Sequence, residues 1–331
     1  MVASASSEPN LSTSPSAPPV LNKPTYSTES NLPAMLPSQP VSIKPTHLLV
    51  SQNCSYLFPA NIELKSFPDK ESHVLIRDLE ACNGADVQIL HRCYPRQDSS
   101  LLQLLLMGKT ISKVANKVEA IVPYLPYARQ DKIWKPGEVL SAEVVCQLIA
   151  AAGFTSLSTF DCHFLKKQGV ATYGGLRIRN FSLSDDLVAY FKAKKTDPLF
   201  ISPDQGAAYL VDEIGGKSMV KRRGEYKNHK KMAVRPVASL DANFEVKDRD
   251  VIILDDMVAG GGTMIRAIRA VLAMGAKSVC CGCTHGLFLG DAYTKLQAAG
   301  AEEIVASNTI ASEASKIDIL NPLRSKIIGQ F

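Results

Sequence analysis

Val251-Ile-Ile-Leu-Asp-Asp-Met-Val-Ala-Gly-Gly-Gly-Thr263 is the stretch on which the fold turns. Its four opening apolar residues, three of them β-branched, read as a strand buried on both faces inside a parallel sheet. Asp255 and Asp256 stand where that strand is expected to end. Three glycines follow, and Thr263 opens a run in which Ile265, Ile268, Val271 and Leu272 recur at helical spacing. Glycine lets a ligand approach the backbone, and the start of a helix offers unpaired N–H groups to an anion. Acids beside such a cradle suit a sugar phosphate: carboxylates for hydroxyls or a metal, amides for the phosphate. An ordinary tight turn flanked by solvated acids is the plain alternative, because short glycine motifs also arise by chance.

Outward from this stretch, strand and helix signals alternate. Leu48–Val50, Val74–Ile76, Val87–Leu90, Glu119–Val122 and Ser156–Phe160 read as strands. Asp98 is placed to cap a helix over Leu101–Ile111, and Ser141 one over Ala142–Ala152. A second series runs through a helix near Ser184–Lys194, a strand Leu199–Ser202 and a helix to about Ile214. The alternation implies an α/β fold of two domains, each a mostly parallel sheet flanked by helices, with ligands beyond the carboxyl ends of the strands. The expected boundaries are a tail over 1–45, an N-terminal domain over 46–181 and a C-terminal domain over 182–331.

Composition narrows the classes. The 331 residues suffice for two cores, and a net charge of +5 is too mild to demand a polyanionic partner. Residues 1–45 hold nine of the 19 prolines but only four charged residues, a composition that reads as disordered. The tail has neither the apolar core of a secretory signal nor any arginine. No apolar run is long enough to span a membrane. Eight cysteines without paired spacing, mostly inside apolar runs, point to buried thiols in a reducing compartment, hence the cytoplasm. Cys280, Cys281, Cys283 and His285 look like metal ligands but lie where a core strand is due, and no second cluster completes a four-ligand set. Seven cations between Lys221 and Arg235 read as a solvated loop, a nucleic-acid patch or a loop closing over polyphosphate. With Tyr226 the one aromatic among them, the nucleic-acid reading is the weakest of the three.

Six blocks occur in a telling order: Phe67-Pro-Asp-Lys-Glu71, Pro126-Tyr-Ala-Arg-Gln-Asp131, Asp161-Cys-His163, Ser202-Pro-Asp-Gln-Gly206, Lys221-Arg-Arg223 and Asp255–Thr263. By these the chain resembles the phosphoribosyl pyrophosphate synthetase (ribose-phosphate pyrophosphokinase) family over about residues 47–320. The resemblance implies two phosphoribosyltransferase-type domains and transfer of the diphosphoryl group of ATP to the C1 hydroxyl of ribose 5-phosphate, with Mg2+ as cofactor. It assigns Arg129, Gln130 and Asp131 to ATP. Phe67, Asp69 and Glu71 would reach ATP on a neighbouring subunit, which makes the active unit a homo-oligomer, a dimer or larger. His163 and Asp204 match metal-holding positions, with Asp204 also near the pentose. Asp255 and Asp256 would take ribose hydroxyls, Gly261, Gly262 and Thr263 the 5-phosphate, and Lys221 and Arg223 the transition state. Neither nucleic acid nor membrane is an expected partner.

The chain departs from that pattern at Ala259 and Gly260, where the family usually carries a polar or acidic residue and then threonine. A lost hydroxyl bond to a charged phosphate costs roughly 1.5–3 kcal/mol, about ten- to a hundredfold in affinity. Cys162 also replaces a common leucine. Two rival readings follow: a non-catalytic regulatory paralogue, or a phosphoribosyltransferase using the same loop.

Overall fold

The computed structural model describes residues 23–26, 46–223, 237–241 and 244–328. The N-terminal strands in chain order are β1 (Thr25–Tyr26), β2 (Thr46–Val50), β3 (Ile62–Ser66), β4 (Ser72–Ile76), β5 (Asp86–Leu90), β6 (Lys117–Ile121), β7 (Ser156–Phe160), β8 (Gly169–Tyr173) and β9 (Leu176–Phe181). Seven of them form one sheet in the order β1-β8-β9-β7-β6-β5-β2, while β3 and β4 make a separate antiparallel hairpin. The pairs from β2 through β9 by way of β5, β6 and β7 are parallel, and β8 and β1 add an antiparallel edge. Helices α1 (Gln97–Ile111) and α2 (Ser141–Ala151) supply buried Leu104, Met107, Ile111, Val145 and Ile149 to the core against Val87, Ile89, Val118 and Ala120.

The C-terminal domain contains α3 (Ser184–Lys192), β10 (Leu199–Ser202), β11 (Lys217–Ser218), β12 (Val220–Arg223), β13 (Val237–Asp241), β14 (Asp250–Val258), α4 (Gly262–Ala273), β15 (Ser278–Gly286), α5 (Ala292–Ala298), β16 (Glu303–Ser307) and β17 (Ser315–Ile317). Its six-stranded parallel sheet has the order β11-β10-β14-β15-β16-β17, with β12 and β13 paired separately. Val251, Ile252, Ile253 and Leu254 are fully buried because β14 lies mid-sheet, paired on both sides. Gly282 of β15 is where this sheet admits a helix closely: a Cβ there would lie 2.6 Å from the Leu254 side chain and 3.0 Å from Phe191.

Several local expectations are corrected. β14 runs on to Val258, so Asp255 and Asp256 lie inside the strand rather than after it. α1 begins at Gln97, which places Asp98 in the first turn, where its carboxylate accepts from Tyr127 Oη. Ser141 opens α2 and gives its hydroxyl to Gln130 Oε1 at 2.6 Å instead of to a helix amide. The segment after Asp204 forms short 3-10 turns over Gln205–Leu210 and Asp212–Ile214, not one α-helix. Within the tail, Thr25 and Tyr26 pair with Thr172 and Ala171, and Lys167 Nζ lies 4.1 Å from the Tyr26 ring centre. Residues 1–22 and 27–45 lie outside the described residues.

Ile319, Leu323, Ile327 and Ile328 pack with Val50, Leu90, Ile121 and Phe160, so the end of the described chain returns to the N-terminal sheet. Gln88 Nε2 donates to Ile327 O at 3.3 Å, adding a polar tie. Cys280, Cys281 and Cys283 are buried in β15 as core residues, and all eight cysteines are buried and unpaired. Among the described residues no helix is long and apolar enough to cross a membrane.

Candidate active site

The two sheets present their carboxyl-terminal ends to a shared cleft. β7 ends at Phe160, and the turn after it carries Asp161, Cys162 and His163. Asp161 adopts a positive φ of 33°. Its buried carboxylate accepts from Leu183 N at 3.0 Å and from Thr284 Oγ1 of β15, which binds the turn to the C-terminal domain. Burial pushes the Asp161 carboxyl up to about 6, against the hydrogen bond from Thr284. One residue along β15, His285 Nε2 lies 2.9 Å from Phe160 O, and Nδ1 lies 2.9 Å from Thr309 Oγ1. A carbonyl can only accept, so Nε2 carries the proton. Burial holds this ring down to about 4 and hence neutral. Cys162 faces the core, so its exchange for leucine is a core swap.

Above that joint, His163 Nδ1 meets Asp256 Oδ2 at 2.6 Å. Asp256 is buried and Asp255 half-buried, so two adjacent acids share a confined site. Burial pushes both upward. For Asp256 the His163 hydrogen bond and charge, with Lys166 behind them, overcome it and hold the carboxyl below its usual range. Asp255 has no such partner, and burial with the charges of Asp256 and Asp204 raises it well above that range. The acid pair is therefore split, one member anchored as carboxylate and the other in need of a compensating positive charge or hydroxyl donors.

The cleft encloses about 670 Å³. Asp204, Asp255 and Asp256 line one part, and Gly260, Gly261, Gly262 and Thr263 form the turn into α4. Gly261 is the helix N-cap at φ 72°, a left-handed conformation that glycine adopts freely. Arg129, Asp131 and His163 line the cleft from the N-terminal domain. Gln130 lines an adjoining cavity of about 540 Å³ together with Arg129 and Tyr127. The structure thus brings together Arg129, Asp131, His163, Asp204, Asp255, Asp256, Gly261, Gly262 and Thr263.

Phe67, Asp69 and Glu71 occupy the exposed turn of the β3–β4 hairpin and do not line this cleft. Lys221 and Arg223 lie in β12 opposite Leu240 and Val237 of β13, and their side chains, like residues 224–236, fall outside what is described. Three charged lining residues were not picked out as ligands from the sequence: Lys132, Lys166 and Arg266. Lys132 adjoins the Arg129–Asp131 block and Arg266 lies one helical turn past Thr263, so adjacency to a motif was the available signal. Trp134 also lines the cleft and is 73% exposed on its rim.

Two α/β domains, a split acid pair and a glycine turn into a helix define an enzyme of the phosphoribosyltransferase type. Residues 50–153 match the N-terminal domain of ribose phosphate pyrophosphokinase, and residues 188–311 match the phosphoribosyl transferase domain. The chain is 33% identical over 267 residues to the ribose-phosphate pyrophosphokinase of Sulfolobus acidocaldarius, covering 78% of this chain and 88% of that protein. It is 32% identical over 265 residues to that of Sulfurisphaera tokodaii, with the same coverage. The phosphoribosylpyrophosphate synthetase of Mycobacterium smegmatis shares the fold, with a TM-score of 0.67 at 23% identity over 84% of this chain and 96% of that one. The chain belongs to the ribose-phosphate pyrophosphokinase family.

Proposed function

We propose that this family member transfers the diphosphoryl group of ATP to the anomeric hydroxyl of ribose 5-phosphate, giving phosphoribosyl pyrophosphate and AMP. The observation that carries the reading is a single cleft in which the acids and glycine turn of β14 and α4 face Arg129, Asp131 and His163 of the other domain. Asp255 and Asp256 accept from the ribose hydroxyls, and the amides at the start of α4 hold the 5-phosphate. Arg129, Gln130 and Asp131 receive ATP, and Lys221 and Arg223 neutralise charge that builds on the transferring phosphates.

Mg2+ is the cation of this reading. Among the described residues no three acid, imidazole or thiol groups converge into a preformed cage. That suits magnesium, which takes one or two carboxylates and completes its shell with water and substrate phosphate. His163 and Asp204 would hold it, and when bound it would polarise the phosphoryl oxygens. With Nδ1 committed to Asp256, His163 has only Nε2 to offer.

The hairpin turn bearing Phe67, Asp69 and Glu71 stands outside its own cleft, which supports its use on a neighbouring subunit and hence a homo-oligomer, a dimer or larger. Eight unpaired thiols support a cytoplasmic setting. The test is purified protein with ATP, Mg2+ and ribose 5-phosphate, following AMP, repeated with Lys221→Ala. AMP formed only with the sugar phosphate, and lost in the variant, is the expected result. ATP binding without AMP would replace the enzyme by a regulatory paralogue.

A further inference from the structure

Arg266 lies in α4 four residues after Gly262, and long side chains on a helix lean back toward its N-terminal turn. Its guanidinium does so here. Nη2 donates to Thr263 Oγ1 at 3.4 Å, and Nη1 lies 3.7 Å from where a Cβ on Gly262 would stand. The group therefore forms part of the cleft wall directly over the glycine turn. A cation here opposes the partial positive charge of the helix start, and no acid occupies the first turn of α4 to offset it. Among the described residues Arg266 makes no ion pair, and its one side-chain hydrogen bond is the long one to Thr263. An exposed arginine held against a helix dipole without an acid is arranged to meet an anion between itself and the amides.

The same turn lacks side-chain donors at Ala259 and Gly260. We infer that Arg266 is a substrate-binding residue whose guanidinium supplies the phosphate contact that Ala259 and Gly260 cannot, so that it sets affinity for a phosphorylated pentose. The inference rests on the ribose 5-phosphate reading of the cleft. A planar guanidinium meets a phosphate with two parallel N–H bonds, each stronger than a neutral one, and the ammonium of lysine cannot copy that geometry.

The test compares Arg266→Ala and Arg266→Lys with the unaltered protein, using ribose 5-phosphate and ribose as probes. The expected result is a KM for ribose 5-phosphate raised about ten- to a hundredfold in Arg266→Ala, with KM for ATP unchanged and Arg266→Lys intermediate. In thermal unfolding, the Tm rise given by ribose 5-phosphate shrinks in Arg266→Ala, ribose gives the same response in both proteins, and the ligand-free Tm is equal or higher. An unchanged KM and an unchanged Tm response to ribose 5-phosphate overturn the inference, as does an unaltered protein with no Tm response to it at all. If the unaltered protein responds to ribose 5-phosphate but releases no AMP, the activity reading fails, and the loss of that response in Arg266→Ala still supports the role of Arg266.

Discussion

His163 of the N-terminal domain and Asp256 of the C-terminal domain meet across the cleft, Nδ1 to Oδ2 at 2.6 Å. The contact joins residues 93 positions apart and holds one carboxylate ionised beside a second that is not so held. Removing the imidazole leaves Asp256 buried without its main compensating partner. We expect His163→Ala and Asp256→Asn each to lower kcat/KM by about ten- to a hundredfold or more, as loss of partners orienting a ligand group does. Because the two act as one unit, the double variant should be little worse than the worse single one. Losses that simply multiply in a double-mutant cycle would show that the contact is incidental.

Gly260 is open space: a Cβ built there meets nothing within 4 Å, and its φ is not in the left-handed region. A threonine can therefore enter without displacing a neighbour, adding a hydroxyl at the phosphate turn. Gly260→Thr is expected to lower KM for ribose 5-phosphate by about tenfold, the worth of one hydrogen bond to a charged group. The gain should be larger in an Arg266→Ala background, where the phosphate has fewer donors. Steady-state titration of ribose 5-phosphate at saturating ATP reads both effects, and a raised KM would mean that the turn binds by backbone alone.

Much of this was legible in the sequence, for reasons that particular residues make plain. Val251–Leu254 reads as a strand buried on both faces, and β14 at mid-sheet is that strand. The cysteines of β15 read as core by the same logic of position after a helix, and they are buried there. β14 runs past the end its acids suggest because a carboxylate usually breaks a buried strand, whereas Asp256 is kept in one by His163, a partner that no local window contains. Tertiary partners likewise explain Ser141, drawn from capping by Gln130, and the return of Ile319–Ile328 to the first domain. Arg266 went unread because its significance depends on a side chain folding back one turn over Gly262, which spacing alone does not signal.

The returning segment carries stability. Leu323 is fully buried and packs with Val50, Ile121, Phe160 and Ile319, sealing one face of the N-terminal sheet with residues from the far end of the chain. Leu323→Ala should cost about 2–5 kcal/mol, the range for a leucine lost from a closed core. Urea unfolding followed by a probe in the N-terminal domain is the measurement. A loss confined to the C-terminal domain would contradict the packing, since the side chain's neighbours belong to the first sheet.

Acid should weaken the ligand-free protein through two buried histidines. His91 lies between Ser51 Oγ and Ser100 O, each at 2.9 Å, and burial lowers it to about 4, as it does His285. The unfolded chain protonates both near 6.5 and the folded chain only near 4, so the unfolded state binds more protons between those values. Stability therefore falls as pH drops through that window. At pH 5 the loss is ~2 kcal/mol for each histidine relative to pH 8. Asp161 works in the opposite sense. Raised to about 6, it binds a proton in the folded state that the unfolded chain does not take until 3.8, returning ~1 kcal/mol at pH 5. Asp255, raised by its burial, opposes the histidines in the same sense as Asp161, so the test reads the one histidine: His285→Gln should remove ~2 kcal/mol of acid destabilisation between pH 8 and 5 whatever it costs at pH 8. Urea midpoints for both proteins at the two pH values decide it. An unchanged slope would mean that His285 takes up its proton in the fold as readily as in the unfolded chain, so that burial does not keep the ring neutral.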